Sequence, residues 1–175
     1  MNKCISFFLI LIFESCGLIQ NNSPVKIQHF NLTQETKIFT DSLLIHSKID
    51  TVLVFKIGCS GCIEGSVNLV YIYWKKNRIC KLRKLSNNGF LYEINTKYNL
   101  LEYYYDHEND IQISCLNEPN NFIHHFKYTD ITLYSGAKRF YKNITESYLF
   151  INQNTAIVNW IKRIESDLFK IENAY

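Results

Sequence analysis

Val67-Asn68-Leu69-Val70-Tyr71-Ile72-Tyr73-Trp74, then Lys75-Lys76-Asn77, then Arg78-Ile79-Cys80-Lys81-Leu82-Arg83-Lys84-Leu85 is the stretch on which the fold turns. Its first half is β-branched and aromatic, the composition that suits a pleated, half-buried surface. Successive strand side chains point to opposite faces, which sets Val67, Leu69, Tyr71 and Tyr73 against Asn68, Val70, Ile72 and Trp74. In the second half Ile79, Cys80, Leu82 and Leu85 are interspersed with Lys81, Arg83 and Lys84. Asn77 lies between the halves, in a tight turn. Two such strands joined so closely run antiparallel, and the segment predicts a hairpin.

The same logic extends upstream. Thr51 to Ile57 is short, apolar and β-branched and predicts another strand, with Gly58 to Gly65 as a turn-rich break after it. Leu32 to Ile49 predicts a helix, capped by Thr33 with Glu35 in the first turn. Ile38, Ile45 and Ile49, with Leu44 beside them, form its apolar stripe. Downstream, Asn87-Asn88-Gly89 is a second turn and Phe90 to Ile94 a strand. Leu100 to Asn109 fits a short helix or an aromatic strand, and Ile111 to Cys115 alternates like a strand, with a break at Glu118 to Asn121. Phe122 to Phe126 and Asp130 to Tyr134 are expected to pair, with Arg139 to Tyr141 and Ser147 to Ile151 as further short strands. The closing helix is the plainest element. Asn154 or Thr155 caps it, and Ile157, Ile161, Ile164, Leu168 and Ile171 recur at steps of four and three. The expected fold is α+β: an antiparallel sheet packed against an N-terminal and a C-terminal helix, in two layers.

Composition agrees with one domain. The chain has 175 residues, 47% of them hydrophobic, with 12 Phe and 12 Tyr, which fills a core and excludes global disorder. Two prolines, six glycines and no repeat leave no linker in sight. Residues 31–175 are expected to form a single globular domain.

The N-terminus points to export. Met1-Asn2-Lys3-Cys4 precedes the apolar run Ile5 to Phe13, one positive charge ahead of a stretch too short to span a bilayer comfortably. Phe13-Glu14-Ser15-Cys16-Gly17 resembles the lipobox of bacterial lipoproteins, with a small residue before the cysteine that is lipidated after cleavage. The resemblance implies residues 1–16 as signal and lipidation region, Cys16 as the acylated residue, and 17–30 as a short tether. It places the domain in the bacterial cell envelope, held to a membrane by lipid; soluble secretion, with cleavage before Leu18, is the alternative.

Gly58-Cys59-Ser60-Gly61-Cys62 follows an apolar strand and is similar to the redox pair of thioredoxin-like proteins. The resemblance implies a helix N-terminus that would activate Cys59 as nucleophile, with Cys62 resolving. The other expectation is structural disulfide bonding in an oxidising envelope. Four cysteines remain in the domain, Cys59, Cys62, Cys80 and Cys115, and they allow three pairings; Cys59–Cys62 with Cys80–Cys115 is preferred. Their spacing is irregular for a zinc site, and neither metal nor cofactor is expected.

Charge and aromatic clusters supply the candidate binding residues. Lys75, Lys76, Arg78, Lys81, Arg83 and Lys84 form a basic run with no acid among them, suited to an anionic lipid surface or an acidic partner. Tyr103, Tyr104 and Tyr105 suit a protein contact. A net charge of +3 without a recognition motif speaks against nucleic acid. No nucleophile elbow, zinc-protease helix or phosphate-binding glycine loop occurs. The expected role is therefore non-catalytic: binding or supporting an envelope protein, with thiol–disulfide exchange through Cys59 and Cys62 as the alternative.

Overall fold

The structure is a computed structural model that describes residues 30–60, 68–114 and 126–174. Residues 1–29, which carry the expected signal segment with Cys16 and most of the expected tether, lie outside the described residues, as do Cys62 and Cys115.

Six antiparallel strands form one sheet: β1 (Thr51–Ser60), β2 (Asn68–Lys76), β3 (Ile79–Ser86), β4 (Gly89–Thr96), β5 (Phe126–Ser135) and β6 (Lys138–Thr145), in the order β4-β3-β2-β1-β5-β6. The predicted hairpin is β2–β3. Asn77 and Arg78 both take positive φ, 51° and 67°, giving the two-residue turn whose twist matches its strands. Gly136, at φ 58°, opens the equally tight β5–β6 turn.

Helices flank the sheet on both sides. Helix α1 (Leu32–Asp41) continues into a π-helical turn, Ser42–His46. The short α2 (Glu102–Asp106) and α3 (Glu108–Ile113) link β4 to the segment before β5, and α4 (Glu146–Ile151) and α5 (Ala156–Glu172) close the chain. The expected α+β architecture with terminal helices is what the chain forms.

Strand parity divides the core in two. Leu53, Phe55, Tyr71, Tyr73, Leu82, Ile131 and Leu133 lie with Ile157, Ile161, Ile164 and Leu168 of α5, so sheet and α5 make the main two-layer body. Val52, Val70, Ile72, Trp74 and Leu85 face the other way, against Leu43 and Phe39. Val70 to Trp74 is consequently buried at every position rather than at alternate ones. Helix α5 follows its predicted stripe, each of the five residues being buried. Trp160, fully buried beside that stripe, donates its indole N–H to the Leu100 carbonyl at 3.1 Å, with its ring 4.9 Å from that of Tyr104.

Several local expectations are corrected. Asn31, not Thr33, caps α1: its side chain accepts the Gln34 N–H at 3.0 Å. Ile38 and Ile45 face outward, 54% and 67% exposed, because Phe39 sets the phase by meeting Trp74 edge-on at 5.4 Å. Ile111 to Ile113 is helical, not extended; the helix buries Ile111 while leaving Ile113 exposed, although a strand would put both on one face. Ser147 to Ile151 is likewise the helix α4, started by Thr145, whose hydroxyl accepts the Tyr148 N–H. Strand β1 runs on through Cys59 and Ser60, so the break does not begin at Gly58.

Candidate functional site

The basic run does not stay together. Lys81 and Arg83 lie on the face of β3 that carries α1, and both meet Glu93 of β4, at 3.9 and 2.6 Å. The Arg83 guanidinium also lies 3.5 Å over the Phe39 ring. Lys84 points to the other face and pairs with Glu172 of α5. These three are structural: they tie β3 to β4, α1 and α5. Lys75, Lys76 and Arg78 remain exposed at the hairpin tip.

The tip gains partners that sequence order hides. The register aligns Lys75 with Cys80, Cys80 with Thr96, Val52 with Trp74, and Ser135 with both Thr51 and Lys138. One end of the sheet thus collects the β2–β3 turn, the close of β4 with Lys97, the entry to β1 with Lys48, and the β5–β6 turn with Lys138. The Asp50 carbonyl accepts the Gly136 N–H at 2.9 Å, which pins the Lys48 segment to that turn. Lys48, Lys75, Lys76, Arg78, Lys97 and Lys138 are all exposed, and none has a carboxylate within 4 Å among the described residues. With strands about 4.8 Å apart, the five intervals from β4 to β6 make this basic rim about 24 Å wide. The signal for Lys48, Lys97 and Lys138 was present, since each sits beside a predicted strand end, but only the register shows that the ends coincide.

Helix α1 begins at the opposite end. Phe30 to Thr33 share a hollow with Asn68, where β2 starts, and with Asn87 of the β3–β4 turn. Nine-residue β2 separates the two ends by about 26 Å. The chain therefore arrives from its N-terminal segment at the end away from the rim.

The tyrosines also part company. Tyr104 is core, between Trp160 and Phe140; Tyr103 stacks on His107 at 4.1 Å; Tyr105 is exposed. They form no common surface.

Cys59 lies within β1, opposite Lys127 of β5. It is not a titrating free thiol, and its bonding partner is not among the described residues. Cys80 is a buried free thiol whose Sγ accepts the Tyr73 hydroxyl at 2.9 Å, which corrects the expected Cys80–Cys115 pairing. Among the described residues no three His, Cys, Asp or Glu side chains converge as a metal cage. No helix among them is long and apolar enough to cross a membrane.

No known protein family, curated protein or solved structure matches this chain. Its own geometry carries the functional argument.

At the C-terminal end of α5 a part-buried network shapes the titration of the domain. Glu172 accepts from Lys84 and from the Tyr71 hydroxyl at 2.6 Å. Burial pushes its carboxyl up, but these donors outweigh burial and hold it below the usual range. Burial, then the Glu172 bond, pushes the Tyr71 phenol up; burial, then the bond to Cys80, does the same for Tyr73. Tyr92 is pushed up to about 12 by burial and the Glu172 charge. The native state holds these phenols neutral while an unfolded chain ionises them near pH 10. Their contribution is full below pH 10 and is lost as pH rises towards the folded values. Stability should fall above pH 10, and Tyr92→Phe should make that fall less steep between pH 10 and 12. An equally steep fall in the variant, followed by urea unfolding at each pH, would contradict this.

Proposed function

We propose that this is a lipid-anchored cell-envelope domain with a non-catalytic binding role, and that its working surface is the basic rim of the sheet. One observation carries the reading: six exposed cations from four separate chain segments meet at one sheet end, with Asp50 as the one exposed acid in those segments and no carboxylate within 4 Å of any of the six among the described residues. Unpaired like charges repel one another, so the arrangement costs stability that an acidic partner would return on binding.

The test is capture from native envelopes by the full chain, with and without the charges. Exposed charges are worth up to about 1 kcal/mol each, so Lys75→Gln, Lys76→Gln and Arg78→Gln together should weaken capture on the order of 10- to 100-fold. High salt should do the same, while Lys127→Gln, outside the rim, should leave capture intact. Capture that survives the triple variant, or none by the unaltered chain, would overturn the rim as the working surface. Intact-mass measurement tests the anchor separately: an acylated N-terminal Cys16 is expected, and a mature chain retaining Met1 would sink export.

The thiol alternative has its own readout. Reversible two-electron exchange between Cys59 and Cys62, with Cys59 ionising well below an ordinary thiol, would favour it over the binding reading.

A further inference from the structure

A second surface lies beside α1, independent of the rim. Helix α1 covers the β2–β3 half of its face of the sheet, where Phe39 meets Trp74 and Arg83. The β1–β5–β6 half is left as the floor of a cleft of about 360 Å³. Register arranges that floor in rows. Lys56 and Asp130 form one row, with Asn143 beside Asp130 outside the lining; Val54, Thr132 and Tyr141 form the next; Tyr134 and Arg139 form the third. The α1 wall adds Thr36, Lys37, Thr40 and Asp41, so the lining carries three cations, Lys37, Lys56 and Arg139, against two carboxylates.

Three features of this array are not what a mere gap between helix and sheet requires. Asp130 gathers donors, with the Tyr141 hydroxyl at 3.4 Å, the Asn143 amide, and Lys56 at 3.9 Å, which fixes its carboxylate at the cleft floor. The Arg139 guanidinium lies over the Tyr134 and Tyr141 rings, 5.6 and 5.9 Å from their centres, with no carboxylate within ion-pair distance among the described residues. Thr40, lining the cleft and 2% exposed, has a hydroxyl without a hydrogen-bond partner among them.

We infer that the cleft binds a small carbohydrate that carries a carboxylate. Each part of such a ligand meets a matching group. A sugar ring has an apolar C–H face, which an exposed tyrosine ring accepts while its hydroxyl stays hydrogen-bonded. Vicinal hydroxyls are both donors and acceptors; Asp130 supplies an acceptor and Lys56 and Lys37 donors, with Thr132 and Thr36 alongside. The carboxylate takes Arg139, whose planar fork suits two parallel charge-assisted bonds. A simple inorganic anion would use Arg139 but leave the tyrosine faces and Asp130 idle. A neutral sugar would leave Arg139 without its anion. The cleft volume lies at the small end of ordinary ligand pockets, which suits a ligand of one or two rings.

The probe pair is glucuronate and glucose, which share a ring and differ by the carboxylate, with acetate as the anion alone. The full chain in detergent is titrated with each, by calorimetry or by chemical-shift perturbation. Glucuronate should bind most tightly, glucose about tenfold more weakly for want of the charge-assisted bonds, and acetate no better than glucose. Arg139→Gln should abolish the preference for glucuronate over glucose. Tyr141→Ala should weaken both sugars about equally. Both side chains are exposed, and unchanged thermal unfolding will show that the variants are folded. The inference is overturned if glucuronate binds no better than acetate, if glucose equals glucuronate in the unaltered chain, or if Arg139→Gln keeps the preference.

Discussion

Trp160→Ala is expected to cost about 3–5 kcal/mol, the range for deleting a large buried aromatic, and to leave the domain marginally folded or unfolded at ambient temperature. The indole is fully buried on α5, joins Tyr104 and Phe140, and satisfies the Leu100 carbonyl. Truncation opens a cavity where α5, β6 and the α2 segment meet, and it leaves that carbonyl without its donor. Trp160→Phe separates the two effects. It keeps much of the packing and loses the bond, for about 1–3 kcal/mol from the unsatisfied carbonyl and the residual void. Urea unfolding of the three proteins should therefore rank them native, Phe, Ala. An alanine variant within 1 kcal/mol of the parent would show that the cluster is not the keystone proposed.

Gly58→Ala is the second large effect, and its sign is the informative part. In an ordinary strand position alanine is the better residue by about 0.5–1 kcal/mol, since glycine loses more freedom on folding. Here the Tyr128 ring lies across Gly58 with its hydroxyl on Asn68 at 2.7 Å, and a Cβ would collide with both the ring and the Asn68 amide oxygen. Overpacking of that kind costs about 1–3 kcal/mol, so it outweighs the backbone gain and the variant should be destabilised. Tyr128→Ser in the same chain should remove most of the penalty. A double-mutant cycle in chemical denaturation reads the coupling directly; additive losses would mean that Tyr128 is not what excludes a side chain at position 58.

Gly58 also shows where local sequence misleads. Beside Cys59, Gly61 and Cys62 it looked like the start of a loop, because glycine near cysteine is a turn signal. It is in fact a strand residue kept small by a tyrosine seventy positions on. The strand-like alternation at Ile111 to Ile113 and at Ser147 to Ile151 gives way to helix for a related reason. Four or five residues fit both periods, and burial against α5 or a cap from Thr145 decides between them. The candidate site was half legible. Lys75, Lys76 and Arg78 were visible as charges, but Lys81, Arg83 and Lys84 looked equivalent to them until Glu93 and Glu172 were placed opposite. In the cleft, Lys56, Asp130, Arg139 and Tyr141 lie on three strands and carry no shared local signal.

By itself the sequence determined the hairpin of Val67 to Leu85, the closing helix with its isoleucine stripe, and the α+β class, because each depends on periodicity within one continuous segment. Tertiary structure alone decided which basic residues stay free, that the rim stands at the end away from the entry of α1, and that a cleft opens over β1, β5 and β6. The reason is register. A strand positions its side chains by its neighbours' alignment, and the partners of β1 and β5 are fixed across more than sixty residues of intervening chain.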